Sequence, residues 1–212
     1  MTTHSTACSA RLRPTLLEDC GLPRSRRVLR LTVLDCARRD RTVRRAYRDA
    51  RQACPEEWAG PNTATWQRVV DVDEANLEVL VPLLARHGWL GSHLVGADGA
   101  HACWQLVQHA PPQYRRRYLP LLARAVARGH ASAADLAHLH DRVSVDRRRP
   151  QAFGTQSLAL PGSPRRLWPT EHGVNTRRAA AGLPGLSAAE LAAIWTPGDL
   201  RRLGIITRAR CC

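Results

Sequence analysis

Apolar residues recur at helical spacing through most of the chain, and polar residues interrupt that pattern at a few positions where apolar ones are expected. From Arg24 to about Ala53 the face made by Leu29, Thr32, Cys36, Val43 and Tyr47 predicts a long helix, with Asp40 in the middle of that face. The breaker Cys54-Pro55 and a loop through Gly60-Pro61-Asn62 lead to a second helix, about Thr63 to His87. Its stripe is Trp66, Val69, Val70, Leu77, Leu80 and Leu84, with Asp73 at the centre and Asn76 on the flank. Pro82 should kink this helix or mark its weakened last turn.

Gly88-Trp89-Leu90-Gly91 ends the second helix, and a loop through Asp98-Gly99 leads to a third, Ala100–Ala110. Ala100, Cys103, Trp104 and Val107 form its stripe, Gln108 continues it, and His109 sits one step round. Pro111-Pro112 breaks the chain before a fourth helix, Tyr114–Arg128, closed by Gly129. Ser132 with Asp135 reads as the capped start of a fifth helix through about Asp141. With Leu136, Leu139 and Val143 as its stripe, His140 faces the core and Asp141 points away. Asp141 therefore turns inward only if the helix stops there, or it serves a second contact surface. Beyond Pro150 regular structure fades: Gln151–Gln156 reads as a loop or short extended piece, and residues 157–176 are rich in Pro, Gly, Ser and Arg. A last helical segment spans Ser187–Trp195. The expected fold is all-α, a single-domain bundle of five or six helices. Residues 1–22 form a poorly ordered N-terminal segment, 23–156 the helical core, and 157–212 a long irregular C-terminal arm with one short helix.

Composition narrows the chemistry. At 212 residues the chain suits one domain with a proper core. A net charge of +14 points to an anionic partner, but all 32 basic residues are Arg, the mark of a GC-rich coding bias as much as of a binding surface. Runs such as Arg115-Arg116-Arg117, Arg147-Arg148-Arg149 and Arg177-Arg178 are scattered rather than gathered in one tail. The absence of Lys excludes a Schiff-base lysine, a phosphate-loop lysine and a Ser-Lys dyad. The seven Cys show no CxxC pair or zinc-finger spacing, so no disulfide framework is expected. No signal-peptide pattern opens the sequence and no apolar run reaches membrane-spanning length, which predicts a reduced, cytoplasmic protein with no membrane partner. The terminal Cys211-Cys212 looks like a double-prenylation tail, but reads more simply as an exposed frayed end.

The misplaced polar residues are the candidate site. Asp40 and Asp73, with Arg44, Asn76 and Arg142, fit a buried network that specifies the fold without catalysing anything. His109 is a candidate general acid-base, oriented by Asp73 or Asp141, or else a helix-end histidine bonded to a carbonyl. Arg142 and Arg178 are candidates to hold an anionic group, because a guanidinium fork matches a carboxylate or phosphate. Gln108, Thr155 and Gln156 would supply neutral hydrogen bonds, unless Gly154-Thr155-Gln156 is only a turn satisfying its own backbone. Trp104, like Trp89, reads as core or pocket wall. His138 and His140 point in different directions on a helix, a poor joint metal site, and only its position near His109 recommends Cys103 as a nucleophile. No cofactor is expected. A divalent ion on Asp40, Asp73, His109 and Asp141 is a variant disfavoured by the lack of Glu-x-x-His pairs.

The segments Gly88-Trp89, Val95-Gly96, Val107-Gln108-His109-Ala110, Asp141-Arg142-Val143 and Gln151–Gln156 together resemble a bacterial, largely actinobacterial, family known only as a domain of unknown function. Asp40 with Val43-Arg44, Val72-Asp73 with Asn76, and Val174–Pro184 match its pattern as well, so the resemblance covers roughly residues 30–186. It supports the site and implies no reaction; His138 and His140 lie outside its pattern. Three function classes remain. One is a small enzyme acting by His-centred acid-base chemistry on a polar, anionic metabolite or peptide, in a setting such as specialised-metabolite biosynthesis. The others are a non-catalytic ligand- or protein-binding accessory module and a nucleic-acid-associated helical protein, the last requiring one contiguous Arg face and steep salt dependence.

Overall fold

A computed structural model describes residues 24–53, 63–159 and 164–206. The expected disorder of 1–22 and the reading of Cys211-Cys212 lie outside the described residues. Among them, the chain is an all-α bundle: α1 (Arg24–Ala53), α2 (Ala64–His87), α3 (Ser92–His109), α4 (Pro112–Ala127) and α5 (Ala133–Asp146), followed by the short helices α6 (Val174–Ala180), α7 (Ala188–Ala192) and α8 (Pro197–Arg202). A two-residue antiparallel pairing, β1 (Ser157–Leu158) with β2 (Arg166–Leu167), is the only sheet among the described residues. No helix among them is long and apolar enough to cross a membrane.

Local chemistry sets the helix ends. The Thr63 side chain accepts from the Trp66 N–H to start α2, and Ser132 accepts from Asp135 N–H to start α5. Gly88, at φ +70°, closes α2 with its N–H on the Leu84 carbonyl. Pro82 does not break α2, which runs on to His87. The third helix begins eight residues before the predicted Ala100, because a first turn at Ser92–Val95 joins the rest across Gly96, whose φ of +74° only glycine adopts without strain. Asp98, just beyond this kink, receives both Nε and Nη2 of Arg30 at 2.9 and 2.5 Å and so ties α3 to α1.

α1 packs against α2 and α3, and α4 packs against α5. Between them lies one apolar core that includes Val33, Cys36, Leu80, Leu84, Leu90, Val95, Cys103, Val107, Tyr118, Leu122 and Leu139. Full burial of residues this size stabilises the fold by about 1.5–3 kcal/mol each before entropy is counted. A second, smaller cluster, Trp168, Trp195 and Leu200, holds the C-terminal arm together. That arm is more ordered than its composition predicts. It contains α6 and α8 as well as the expected α7, and Gln151, wholly buried, anchors it by donating to the Gln156 and Trp168 carbonyls at 2.9 and 2.8 Å.

Candidate functional site

The inward stripe of α1 carries Asp40 to full burial, where it meets the last residue of α3. His109 Nδ1 lies 3.0 Å from both oxygens of Asp40. One helical turn after Asp40, Arg44 donates from Nε to Asp40 Oδ1 at 2.7 Å and from Nη2 to both oxygens of Asp73 on α2, each at 2.7 Å. Three helices thus build one chain of groups: His109, Asp40, Arg44, Asp73. With both carboxylates ionised, Nδ1 is the ring nitrogen that must carry a proton, and Nε2 is the open one. Nε2 has no protein partner among the described residues and is not a buried unpaired atom, and the side chain is 27% exposed, so this nitrogen reaches solvent.

Burial alone would raise the Asp40 carboxyl, but the hydrogen bond and charge of His109, then Arg44, more than offset it and hold it below the usual carboxylate value. Asp73 moves the other way: burial raises it, the neighbouring Asp40 charge adds to that, and Arg44 compensates in part. Two carboxylates and one guanidinium leave the cluster with one net negative charge. The C-terminal end of α3 adds the negative end of a helix dipole at the same place.

α3 and α5 lie side by side and in the same direction: His101 faces Asp135 and Trp104 faces His138, an offset of 34 in both pairs. The same offset sets Gln108 opposite Arg142. Gln108 Nε2 reaches the His138 carbonyl at 3.5 Å, while its Oε1 is buried without a partner among the described residues. Arg142 is exposed at its surface, donates from Nη1 to Gln156 Oε1 at 3.3 Å, and is crowded at its base. Desolvation first, then repulsion from Arg115 and Arg44, lowers its guanidinium from the ordinary value. Arg44, Arg115 and Arg142 are therefore close enough to feel one another around the end of α3.

Arg115 figured in the sequence only as one of a scattered run, Arg115-Arg116-Arg117. It is 6% exposed, grips Asp146 through two hydrogen bonds of 2.8 Å, and donates from Nη1 to the Gln108 and Ala110 carbonyls, at 3.4 and 2.5 Å. It thereby caps the carbonyls either side of His109 and fixes α3 to α5. The signal was present in the sequence: Arg115 shares its helical face with Tyr118, Leu122 and Ala125, all buried in α4.

Asp141 belongs to different chemistry. The fifth helix does not stop there but continues to Asp146, and Asp141 is fully buried against the segment 151–156, the second contact surface. Its oxygens accept the N–H groups of Ala152, Phe153 and Thr155 and the Thr155 hydroxyl, at 2.8 to 3.2 Å. Neither Asp141 nor Asp73 orients His109; Asp40 does. Thr155 is likewise taken up in this clamp, and of the Gly154-Thr155-Gln156 motif only Gln156, which also donates to Thr155 Oγ1 at 3.1 Å, stands beside Arg142. Gly154 takes φ +64° with Leu186 and Val174 close by, which admits glycine alone comfortably. Arg178 is not an anion anchor at the rim. It is 9% exposed and its guanidinium holds the carbonyls of Phe153, Gly154 and Pro184.

Asn76, 3% exposed, donates to the Cys36 carbonyl at 3.3 Å and so joins α2 to α1. Trp104 lies one and a half turns before His109, packed between His101 and His138 at centroid distances of 4.9 and 5.9 Å. Burial lowers His138 from its ordinary value. Cys103 is fully buried, and desolvation pushes its thiol up to about 12, which leaves no thiolate for nucleophilic attack near neutral pH. No three His, Cys, Asp or Glu side chains among the described residues gather as a metal site; Asp141 is too committed to the loop to join Asp40, Asp73 and His109.

Comparison with curated proteins and with solved structures finds no match. The pattern of a protein family does match, over residues 30–191, and so runs from the second turn of α1 through most of α7, including every residue of the His109 cluster and of the Asp141 clamp. By that match the chain belongs to DUF6624, a family of unknown function.

Proposed function

We propose that this protein is a small enzyme in which His109 acts as general acid-base on an anionic metabolite or peptide, with Asp40 as its positioning residue. The observation that carries this reading is the asymmetry of the ring: a fully buried carboxylate holds Nδ1, while Nε2 reaches solvent. A histidine serving only to satisfy a helix end needs no such arrangement. Arg142, steadied by Gln156, is the group offered to a carboxylate or phosphate, whereas Arg44 and Arg115 are already paired with Asp40, Asp73 and Asp146. The chemistry is proton transfer at a carbon, oxygen or nitrogen next to that anion, to which a positioned side chain typically contributes about 10²–10⁴ in rate. The Lys-free composition and the resemblance of the motifs support a bacterial origin.

The test is conversion. The purified chain, incubated with mixtures of carboxylate- and phosphate-bearing metabolites and followed by proton and phosphorus NMR, should transform at least one component. His109→Gln should reduce that rate about 10²-fold or more with the fold intact, and Arg142→Gln should act mainly on KM. Anion binding without any turnover would instead make this a binding module, and full activity in His109→Gln would end the proposal.

A second reading has its own observation. Arg38, Arg41, Arg45 and Arg48 are all exposed along one face of α1, a row suited to a phosphate backbone. Arg38 and Arg45 are partly neutralised by Asp35 and Asp49. Binding to duplex or single-stranded nucleic acid would have to fall steeply with salt, and its absence at low salt ends that reading.

A further inference from the structure

A cavity of about 300 Å³ lies between the first half of α3 and the start of α5, and does not touch His109, Asp40 or Arg142. Apolar carbon makes most of its wall: Leu122, Ala97, Ala100 and the rings of Trp89 and Trp104, whose indole nitrogens are buried and so leave ring carbon to face the space. The charge on that wall is out of keeping with the rest of the chain. The sequence has 32 Arg and a net charge of +14, yet no Arg among the described residues lines the cavity, and its one carboxylate is Asp135.

Asp135 also declines the partner that its position offers. It stands third in α5, the place from which Glu190 in α7 and Asp199 in α8 reach back to the N-cap backbone N–H and complete a capping box. In α5 the Ser132 hydroxyl accepts the Asp135 N–H, but the carboxylate does not return to Ser132. It turns instead toward His101, an imidazole 61% exposed and 3.5 Å away, and toward the cavity, with 16% of its own side chain exposed. Burial pushes this carboxyl up, and His101, then His138, offset that in part; no guanidinium among the described residues does. The half-charge at the start of α5 balances only part of one carboxylate, and the first N–H of α3 is already on the His130 carbonyl at 2.8 Å. A half-open carboxylate without a guanidinium, set beside apolar carbon, suits an organic ammonium: the head meets the charge and the body meets the wall. The volume, at the small end of ligand pockets, fits a body of one ring or a short chain. We propose that this cavity binds a small organic amine, its ammonium on Asp135 and its apolar body against Trp89, Trp104 and Leu122.

The site is separate from the His109 chemistry, and its test uses the whole chain. Three probes share one body and differ in charge: 2-phenylethylamine, 2-phenylethanol and phenylacetate, each titrated by calorimetry at pH 8 in an amine-free buffer. Non-specific attraction to a chain of net charge +14 favours the anion, so a preference for the amine must come from a local carboxylate. The amine should bind with a Kd below about 1 mM and about tenfold or more tightly than the alcohol, with phenylacetate weakest. Asp135→Asn should bring the amine down to the level of the alcohol. Ala97→Phe, which sets a ring at the exposed rim of the cavity, should abolish binding of both. Circular dichroism confirms that the variants are folded. No saturable binding of the amine to the unaltered protein overturns the proposal without reference to any variant. So does the alcohol or phenylacetate binding as tightly as the amine, and so does a folded Asp135→Asn or Ala97→Phe protein that binds the amine as tightly as the original.

Discussion

Replacing Asp141 by Asn separates the structural clamp from the candidate catalytic group, because the change is isosteric and removes only charge and one acceptor. In the native site the two oxygens serve four donors: Ala152 N–H, Phe153 N–H, Thr155 N–H and the Thr155 hydroxyl. An Asn with its oxygen toward Ala152 keeps that bond and the shorter one to Phe153, at 2.8 and 3.0 Å, and turns an NH₂ toward the Thr155 N–H. Donor then faces donor. The Thr155 hydroxyl can rotate to accept, but its backbone N–H cannot, so one backbone donor and one amide hydrogen are left unmade in a buried place, at about 1–3 kcal/mol each. The two surviving bonds also weaken from charge-assisted to neutral ones. The sum is about 3–5 kcal/mol, equivalent to roughly 6–20 °C in Tm for a chain of this size. Urea and thermal unfolding of Asp141→Asn beside the parent protein measure it. A loss under about 1 kcal/mol would refute the clamp, since it would mean that the loop finds other acceptors.

The dependence on pH follows from Asp40, whose carboxyl is held below its ordinary value in the fold. Stabilisation from such a group is fully present above the unfolded-state value of about 3.9 and disappears as pH falls through the lower folded value. Asp73, raised by burial, works in the opposite direction, so the difference between the parent protein and Asp40→Asn is the quantity to follow: it should shrink steadily in acid-unfolding series below about pH 4. Cys103, fully buried with its thiol pushed up to about 12, should resist iodoacetamide at pH 8 in the native protein and react only on unfolding, as read by mass spectrometry of the alkylated peptides. Gly96→Ala places a Cβ at φ +74° and should cost about 1–2 kcal/mol in denaturant unfolding, a loss expected at this kink and not at an ordinary helical glycine.

Periodicity made much of the fold legible, and its failures are informative. The boundaries of α1 and α2 follow from long stripes and strong breakers, and the inward placement of Asp40 was visible in the same stripe. The start of α3 was hidden because Gly96 and Gly99 read as a loop, when one glycine supplies a kink and the other admits Val95 at close range. For Asp141 a single stripe left two readings open, an early helix end or a second contact surface, and the fold uses the second. Helix α5 has two buried faces, one toward α4 and one toward the segment 151–156, and a stripe count registers only the first. Which carboxylate orients His109 could not be read at all, since Asp40 and His109 are 69 residues apart and meet only through the packing of α1 on α3. The order of the C-terminal arm was also concealed. It depends on Gln151, Arg177 and Arg178 binding backbone carbonyls, a use of polar residues that composition reads as solvent exposure.

The central claim is that His109 is held by Asp40 through one ring nitrogen and offers the other to an anion-bearing substrate beside Arg142. Nitrogen-15 NMR of the imidazole tests it directly, by two-bond correlations at a pH where the ring is neutral and by titration with inorganic phosphate. The account predicts a proton on Nδ1 and a bare Nε2, loss of that fixed tautomer in Asp40→Asn, and a phosphate-induced shift of the His109 signals that Arg142→Gln removes. A proton on Nε2 in the unaltered protein, or His109 signals indifferent to both phosphate and Asp40→Asn, would contradict it.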